Sequence, residues 1–357
     1  MDTSLVTARQ LGNYFLINGD QLGKFYKDHL SDYRSWPQLS HARNWVLLEQ
    51  NTGERLSIDE TMLSDDLFTI VSNKDGHGQR GIIVAIVRGT KSADVVSVLN
   101  RIPEEKRLQV KEITMDYASN MKRIANLAFP NAQTVTDCFH TIKLATEAIE
   151  SVRLKLKQEA MVIYRRKERE WRTKCDKCRK ANRYYRKHHP KKYKGSKRGR
   201  KPLYVGKYKS KTFDNGDTIR DLLTRSKHII TKSADKWSER QKERARILFV
   251  EYPQLKELYG LLCQLRAVFS DKKCTREEGR KKLHRWYKAV ATCTNREMKA
   301  VREQIKQREE DVLNYFNARS TNASAESLNA KLKSFRAQLR GVADFEYFMY
   351  RLCKVMG

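Results

Sequence analysis

Apolar and polar positions change their spacing several times along this chain, and each change predicts an element. After the turn Asn51-Thr52-Gly53 come three short β-type runs, residues 55–59, 67–72 and 81–88, the last containing Ile-Ile-Val-Ala-Ile-Val. A continuous β-branched run of that kind suits a central strand covered on both faces. The spacing then alternates, with a helix over 92–102, a strand over 110–116, a helix over 119–129 and a strand over 133–139. The predicted order is βββαβαβ.

A long helical run over 142–172 carries Ile142, Ala145, Ile149, Val152 and Leu156 at helical spacing before it turns strongly basic. Residues 218–318 predict several helices broken at Tyr252-Pro253 and Ser270-Asp271. In the last segment Leu328, Leu332, Phe335 and Leu339 share a helix face expected to pack on a sheet, while Glu326, Asn329, Lys333, Arg336 and Arg340 share another. Residues 1–50 mix helical stretches with the turn signal Ile17-Asn18-Gly19-Asp20 and predict a short helical lead-in. The expected organisation is α/β: a lead-in over 1–50, a catalytic core over 51–149, a basic, mainly helical insertion over 150–310, and closing core helices over 311–357. No internal repeat is visible.

Charge sharpens this picture. Lys and Arg outnumber Asp and Glu by 73 to 42, a net charge of +31 that points to a polyanionic partner. Residues 151–211 hold 25 Lys or Arg against 4 Asp or Glu, so 25 − 4 = +21 of that charge falls there. Trp171, Tyr184, Tyr185, Tyr193 and Tyr204 are interleaved without a sustained apolar face, which favours nucleic acid over a membrane surface. Lys191, Lys192, Lys194, Lys197, Arg198, Arg200 and Lys201 form the densest cationic run and are expected to meet phosphates. No apolar run approaches the ~18 residues of a membrane span, and the first residues carry no export signal, so a cytoplasmic protein is expected. Seven cysteines without regular spacing argue for free thiols.

Three acids set far apart supply candidate chemistry. Asp59 closes Arg-Leu-Ser-Ile-Asp, Asp116 closes Lys-Glu-Ile-Thr-Met-Asp, and Glu326 opens the last amphipathic helix. Carboxylates of this kind hold divalent cations that activate a hydroxyl and stabilise the leaving oxygen at a phosphodiester. Hard cations prefer oxygen, so an all-carboxylate site with two Mg²⁺ or Mn²⁺ ions is expected, without histidine or thiolate. Glu60, Asp65, Asp66 and Asp137 lie near these acids in sequence and are set aside.

Ser57-Ile-Asp-Glu-Thr61, Ile113-Thr-Met-Asp116, Phe129-Pro-Asn-Ala132, Val135-Thr-Asp-Cys-Phe-His140 and Ser320-Thr-Asn-Ala-Ser-Ala-Glu-Ser-Leu-Asn-Ala-Lys331 together resemble DDE transposases of bacterial insertion sequences, of the ISL-three kind. The resemblance covers roughly residues 50–355. It implies a ribonuclease-H-like catalytic domain of the retroviral-integrase type, whose strand order is the one predicted above, with a long helical insertion between the second and third acids. It further implies cleavage at element ends and strand transfer into target DNA by an oligomer assembled on DNA at the bacterial nucleoid. Asp59, Asp116 and Glu326 carry over as the triad. The Asp137 to His140 motif matches a Cys-or-Asp, two residues, His signature that puts His140 near the site. Cys138 stands where Arg is expected, and Tyr117 where Met commonly follows the second acid. The zinc element and helix-turn-helix with which relatives usually begin are not visible in residues 1–50. A separate end-binding protein or a shortened copy would account for that.

Other readings stay open. A nuclease of the same fold without strand transfer, or an inactive DNA-binding derivative, would share most of these features. His140 could orient a phosphate, contact Asp137, or be ordinary hydrogen-bonded structure. Cys175-Asp-Lys-Cys178 with His188 and His189 offers four zinc-type ligands, although the spacing fits no common finger closely and chance cysteines are favoured. Trp237, Trp286 and Tyr287 read as core of the insertion, not as base-stacking groups.

Overall fold

A computed structural model of the chain describes residues 1–63, 65–77, 79–189, 207–339, 342 and 344–357. From the N-terminus come α1 (Ala8–Phe15), α2 (Gly19–Phe25), β1 (Trp45–Leu47), β2 (Arg55–Leu63), β3 (Asp66–Asn73) and β4 (Ile83–Arg88). They are followed by α3 (Ser92–Leu99), α4 (Glu104–Leu108), β5 (Glu112–Met115), α5 (Ser119–Ala128), β6 (Gln133–Thr136) and the long helix α6 (Cys138–His188). Next are α7 (Ile219–Arg225), α8 (Lys227–Ile230), α9 (Glu239–Glu251), α10 (Pro253–Ser270) and α11 (Arg276–Thr292). The chain closes with α12 (Arg296–Gln307), α13 (Glu309–Leu313), α14 (Tyr315–Ala318), α15 (Ala323–Gln338) and α16 (Phe345–Met356). The predicted alternation is present from β2 to β6, with the short α4 added. Strand β1 falls in the segment expected to be helical, because three residues are too few for a periodicity to show.

The chain divides into two compact units, one of Met1–Ile142, Val268–His284 and Glu303–Gly357, the other of Lys143–Ala267 and Arg285–Arg302. These cuts differ from the expected ones at 50, 150 and 310, since the N-terminal segment and two later stretches belong with the sheet. The N-terminus is tied there by Arg351 of α16, only 2% exposed, which donates to the carbonyls of Met1, Ser4 and Val6 at 2.9, 3.2 and 3.2 Å.

The sheet of the first unit has the order β1-β4-β3-β2-β5-β6. Neighbours from β1 to β2 are antiparallel, whereas β2, β5 and β6 run parallel. β4 is buried along Ile83 to Val87, as a β-branched run covered on both faces should be. The two-residue period of β2 and β3 sorts side chains between two cores. Leu56, Ile58 and Val71 face Val95, Val98 and Leu99 of α3 and Met121, Ile124 and Ala128 of α5. Leu63, Phe68 and Ile70 face Leu328, Leu332 and Phe335 of α15 and Phe348, Met349 and Leu352 of α16. The edge strand β6 is covered rather than left open. Its Thr134 donates to Asp311 of α13 at 2.7 Å, and Asn314 donates to the Thr134 carbonyl at 2.8 Å.

The second unit is helical. Leu222, Ile229, Leu248, Leu255, Leu262, Leu265 and Trp286 are buried in it. The buried Trp286 donates its indole N–H to the Leu261 carbonyl at 2.8 Å, whereas Trp237, expected in the core, is half-buried and donates to the Ile229 carbonyl at 3.0 Å. Tyr252 alone separates α9 from α10, whose first residue is Pro253, because proline opens a helix readily but cannot continue one. Among the described residues no helix is long and apolar enough to cross a membrane.

Candidate metal centre

Strand register decides where the acids lie. Ser57 of β2 is level with Thr114 of β5, and Thr114 with Val135 of β6. The pairing of β2 with β5 ends at Ser57 and Thr114 and that of β5 with β6 at Met115 and Thr136; continued past these ends, the same register would bring Asp59, Asp116 and Asp137 level, on strands about 4.8 Å apart. β5 ends at Met115 and β6 at Thr136, so Asp116 and Asp137 are the first residues past their strands. Asp59, expected to end its strand, instead sits in the middle of β2, which continues to Leu63. Beyond Asp59 come Glu60 and Thr61 and then Met62 and Leu63, two polar and two apolar residues without a two-residue alternation, which hides the continuation in the sequence.

Local bonds fix each carboxylate. Asp116 accepts the N–H of Ala118 at 2.7 Å, and Asp137 that of Phe139 at 3.1 Å, the same two-residue reach at both strand ends. Asp59 is held on both oxygens, by the Glu60 N–H at 2.8 Å and by Asn329 Nδ2 of α15 at 2.6 Å. Burial pushes the Asp59 carboxyl above its ordinary range, and the charges of Asp116 and Glu326 add to the rise, against the Glu60 N–H and His140. These pKa influences connect Asp59 with Asp116, His140 and Glu326.

A tighter group lies within this cluster. One ligand atom each of Asp137, His140 and Glu326 can be chosen so that all lie within 4.8 Å of one another. Asp137 is 1% exposed, His140 half-buried in the first turn of α6, and Glu326 exposed in the first turn of α15. Asp137, set aside in the sequence reading, and His140 thus stand with Glu326 in a group that could hold an ion. The signal for Asp137 was available in the matching runs Ile-Thr-Met-Asp and Thr-Val-Thr-Asp, which end at equivalent positions of adjacent parallel strands.

Other buried acids are paired, Asp217 with Arg225 and Arg244, and Asp311 with Lys122. In a chain with 73 Lys and Arg, no such ion pair is made by Asp59, Asp116, Asp137 or Glu326 among the described residues. Clustered carboxylates without a counter-charge repel one another, and a divalent cation would offset this. Carboxylate oxygens suit Mg²⁺, and an imidazole alongside them is well tolerated by Mn²⁺, so the donors fit such an ion.

The remaining motif residues have distinct places. Burial, reinforced by the charge of Asp137, pushes the Cys138 thiol up to about 11. The hydroxyls of Tyr117 and Thr141 are 2.9 Å apart and latch the start of α6 beside the end of β5. Glu60 accepts from Asn120 at 2.8 Å, a structural bond. Lys333 is exposed and Arg336 half-buried. Lys333 lies about 10 Å along the helix axis from Glu326. Arg340, Lys191, Lys192, Lys194, Lys197, Arg198, Arg200 and Lys201 lie outside the described residues. Leu339, expected on the packed face, follows the last turn of α15 and is 37% exposed. Cys175, Cys178 and His188 lie on the single helix α6. Ten residues, about 15 Å, separate Cys178 from His188, so those ligands cannot converge on one ion within the helix.

Comparison with curated proteins and with solved structures finds no match. The family model described as Transposase, for DDE transposases of the ISL3 type, matches residues 56–352. That span runs from the start of β2 into α16 and includes every acid of the cluster. The chain therefore belongs to the ISL3-type family of DDE transposases.

Proposed function

We propose that this transposase cuts DNA at insertion-sequence ends and joins the freed strand to target DNA, using divalent cations at Asp59, Asp116 and Glu326, with Asp137 and His140 beside them. The observation that carries the reading is the set of three acids at adjacent parallel strands, met by Glu326 from α15 without a protein cation. From β2 onward, three antiparallel strands, a helical link, a strand, a helix and a strand, with acids on the first and after the fourth, support a ribonuclease-H-like core. Two cations bound there would activate the attacking hydroxyl and stabilise the leaving oxygen.

The chain's own residues have separable tasks. Asp59 is held on both oxygens and presents a fixed carboxylate. Asp116 and Asp137 are oriented by their own turns, so one oxygen of each is left for a ligand. Glu326 approaches from a separate element and completes the cluster. His140 is placed to bind a cation or a phosphate oxygen. Lys333, Arg336 and Arg340 follow Glu326 in sequence and would guide the phosphate backbone, as would the basic run 191–201.

The test is incubation of the protein with Mg²⁺ and duplexes carrying the DNA that flanks its reading frame. Cleavage at the ends and joined products, both abolished by EDTA, are expected. Cleavage without joining would favour a nuclease. Metal-independent cleavage or no cleavage, with or without a helix-turn-helix partner, would refute the proposal.

A further inference from the structure

Asn329 lies three residues after Glu326 on α15 and is 8% exposed. Its Nδ2 donates to Asp59 Oδ2 at 2.6 Å, while its Oδ1 has no partner among the described residues. Among the described residues the bond of this amide is the one it donates to Asp59. The residue type is also informative. Lysine or arginine at this position would neutralise Asp59 and compete with a cation, and aspartate would repel it. An amide orients the carboxylate and leaves its charge in place.

We infer that Asn329 is a positioning residue: it fixes the Asp59 carboxylate and, as the side-chain bond from α15 to β2, sets where Glu326 stands relative to Asp59. This rests on the function proposed above. The Glu60 N–H holds the other Asp59 oxygen from within the same strand, so it cannot set the spacing between the two elements. The outer partners of metal ligands commonly tune affinity without touching the ion.

The test compares wild type with Asn329→Leu and Asn329→Ser by Mn²⁺ titration followed by electron paramagnetic resonance, alongside metal-free thermal melts. Wild type is expected to bind Mn²⁺, and both variants about tenfold more weakly. Both variants should melt at most about 4 °C lower without metal, since each removes the donor to Asp59 Oδ2, so Mn²⁺ affinity is the deciding readout. In strand cleavage, kcat should fall while KM for DNA stays within about twofold, with recovery at higher Mn²⁺. Serine covers the case in which leucine does not fit. Variants that bind Mn²⁺ like wild type but melt lower would overturn the inference and make Asn329 structural. Absence of Mn²⁺ binding by wild type would instead remove the functional reading, and this inference with it.

Discussion

Asp59→Asn is expected to lower Mg²⁺-dependent strand cleavage by about 10³-fold or more, with DNA affinity within about twofold of wild type. A loss of that size corresponds to about 4 kcal/mol of transition-state stabilisation. The substitution keeps the shape of the side chain and one accepting oxygen for the Glu60 N–H, and the Asn329 amide can turn to accept from the new NH₂, so the main change is the lost charge. It has a second consequence, of opposite sign. Because Asp59 is raised above its ordinary 3.8, the folded chain holds this proton more tightly than the unfolded chain does. The stabilising effect is complete below 3.8 and is lost as pH rises through the higher folded value. At neutral pH the ionised carboxylate therefore destabilises the metal-free fold. Asp59→Asn should melt no lower than wild type without metal, and should gain less from added Mg²⁺. Undiminished cleavage, or a clearly lower metal-free melting temperature, would contradict this account of Asp59.

Asp137→Asn is expected to reduce cleavage by about 10²-fold, as loss of a metal-binding or metal-orienting carboxylate does. The amide oxygen of the substituted side chain would still accept the Phe139 N–H, so the start of α6 is preserved and the melting temperature should change little. Glu60→Gln is the matching control. Its side chain accepts from Asn120, and an amide oxygen can do the same, so activity within about threefold of wild type is expected. Steady-state cleavage rates of the two variants separate an acid of the cluster from a neighbour in sequence. Equal activities would return Asp137 to a structural role.

Much of the site was legible before any coordinates. Asp116 follows a strand and Glu326 begins a helix, as the alternation of β and helical spacing required. The buried face of that helix was visible in Leu328, Leu332 and Phe335, but Leu339 was misassigned, since helical spacing alone does not mark where the last turn stops. Asp137 is marked in the sequence by its motif with His140 and by the run it shares with Asp116, but neither says that it stands beside Asp116. Its meaning comes from register with Asp59 and Asp116, a relation among three strands. The bond from Asn329 to Asp59 was hidden for the same reason: one partner is at residue 329 and the other at 59, and only tertiary packing joins them. The boundaries of the second unit were blurred because helical patterning continues through the returns to the sheet at 268–284 and 303–310.

The most direct test of the metal centre replaces the bound cation with Fe²⁺ and uses ascorbate and peroxide to generate radicals that cut the polypeptide beside the ion. The predicted cuts lie near residues 59, 116, 137–140 and 326, are suppressed by excess Mg²⁺, and are lost in Asp59→Asn combined with Glu326→Gln. Cuts confined to other acids, such as Asp217 or Asp311, or a pattern unchanged in the double variant, would contradict a cation site at this cluster.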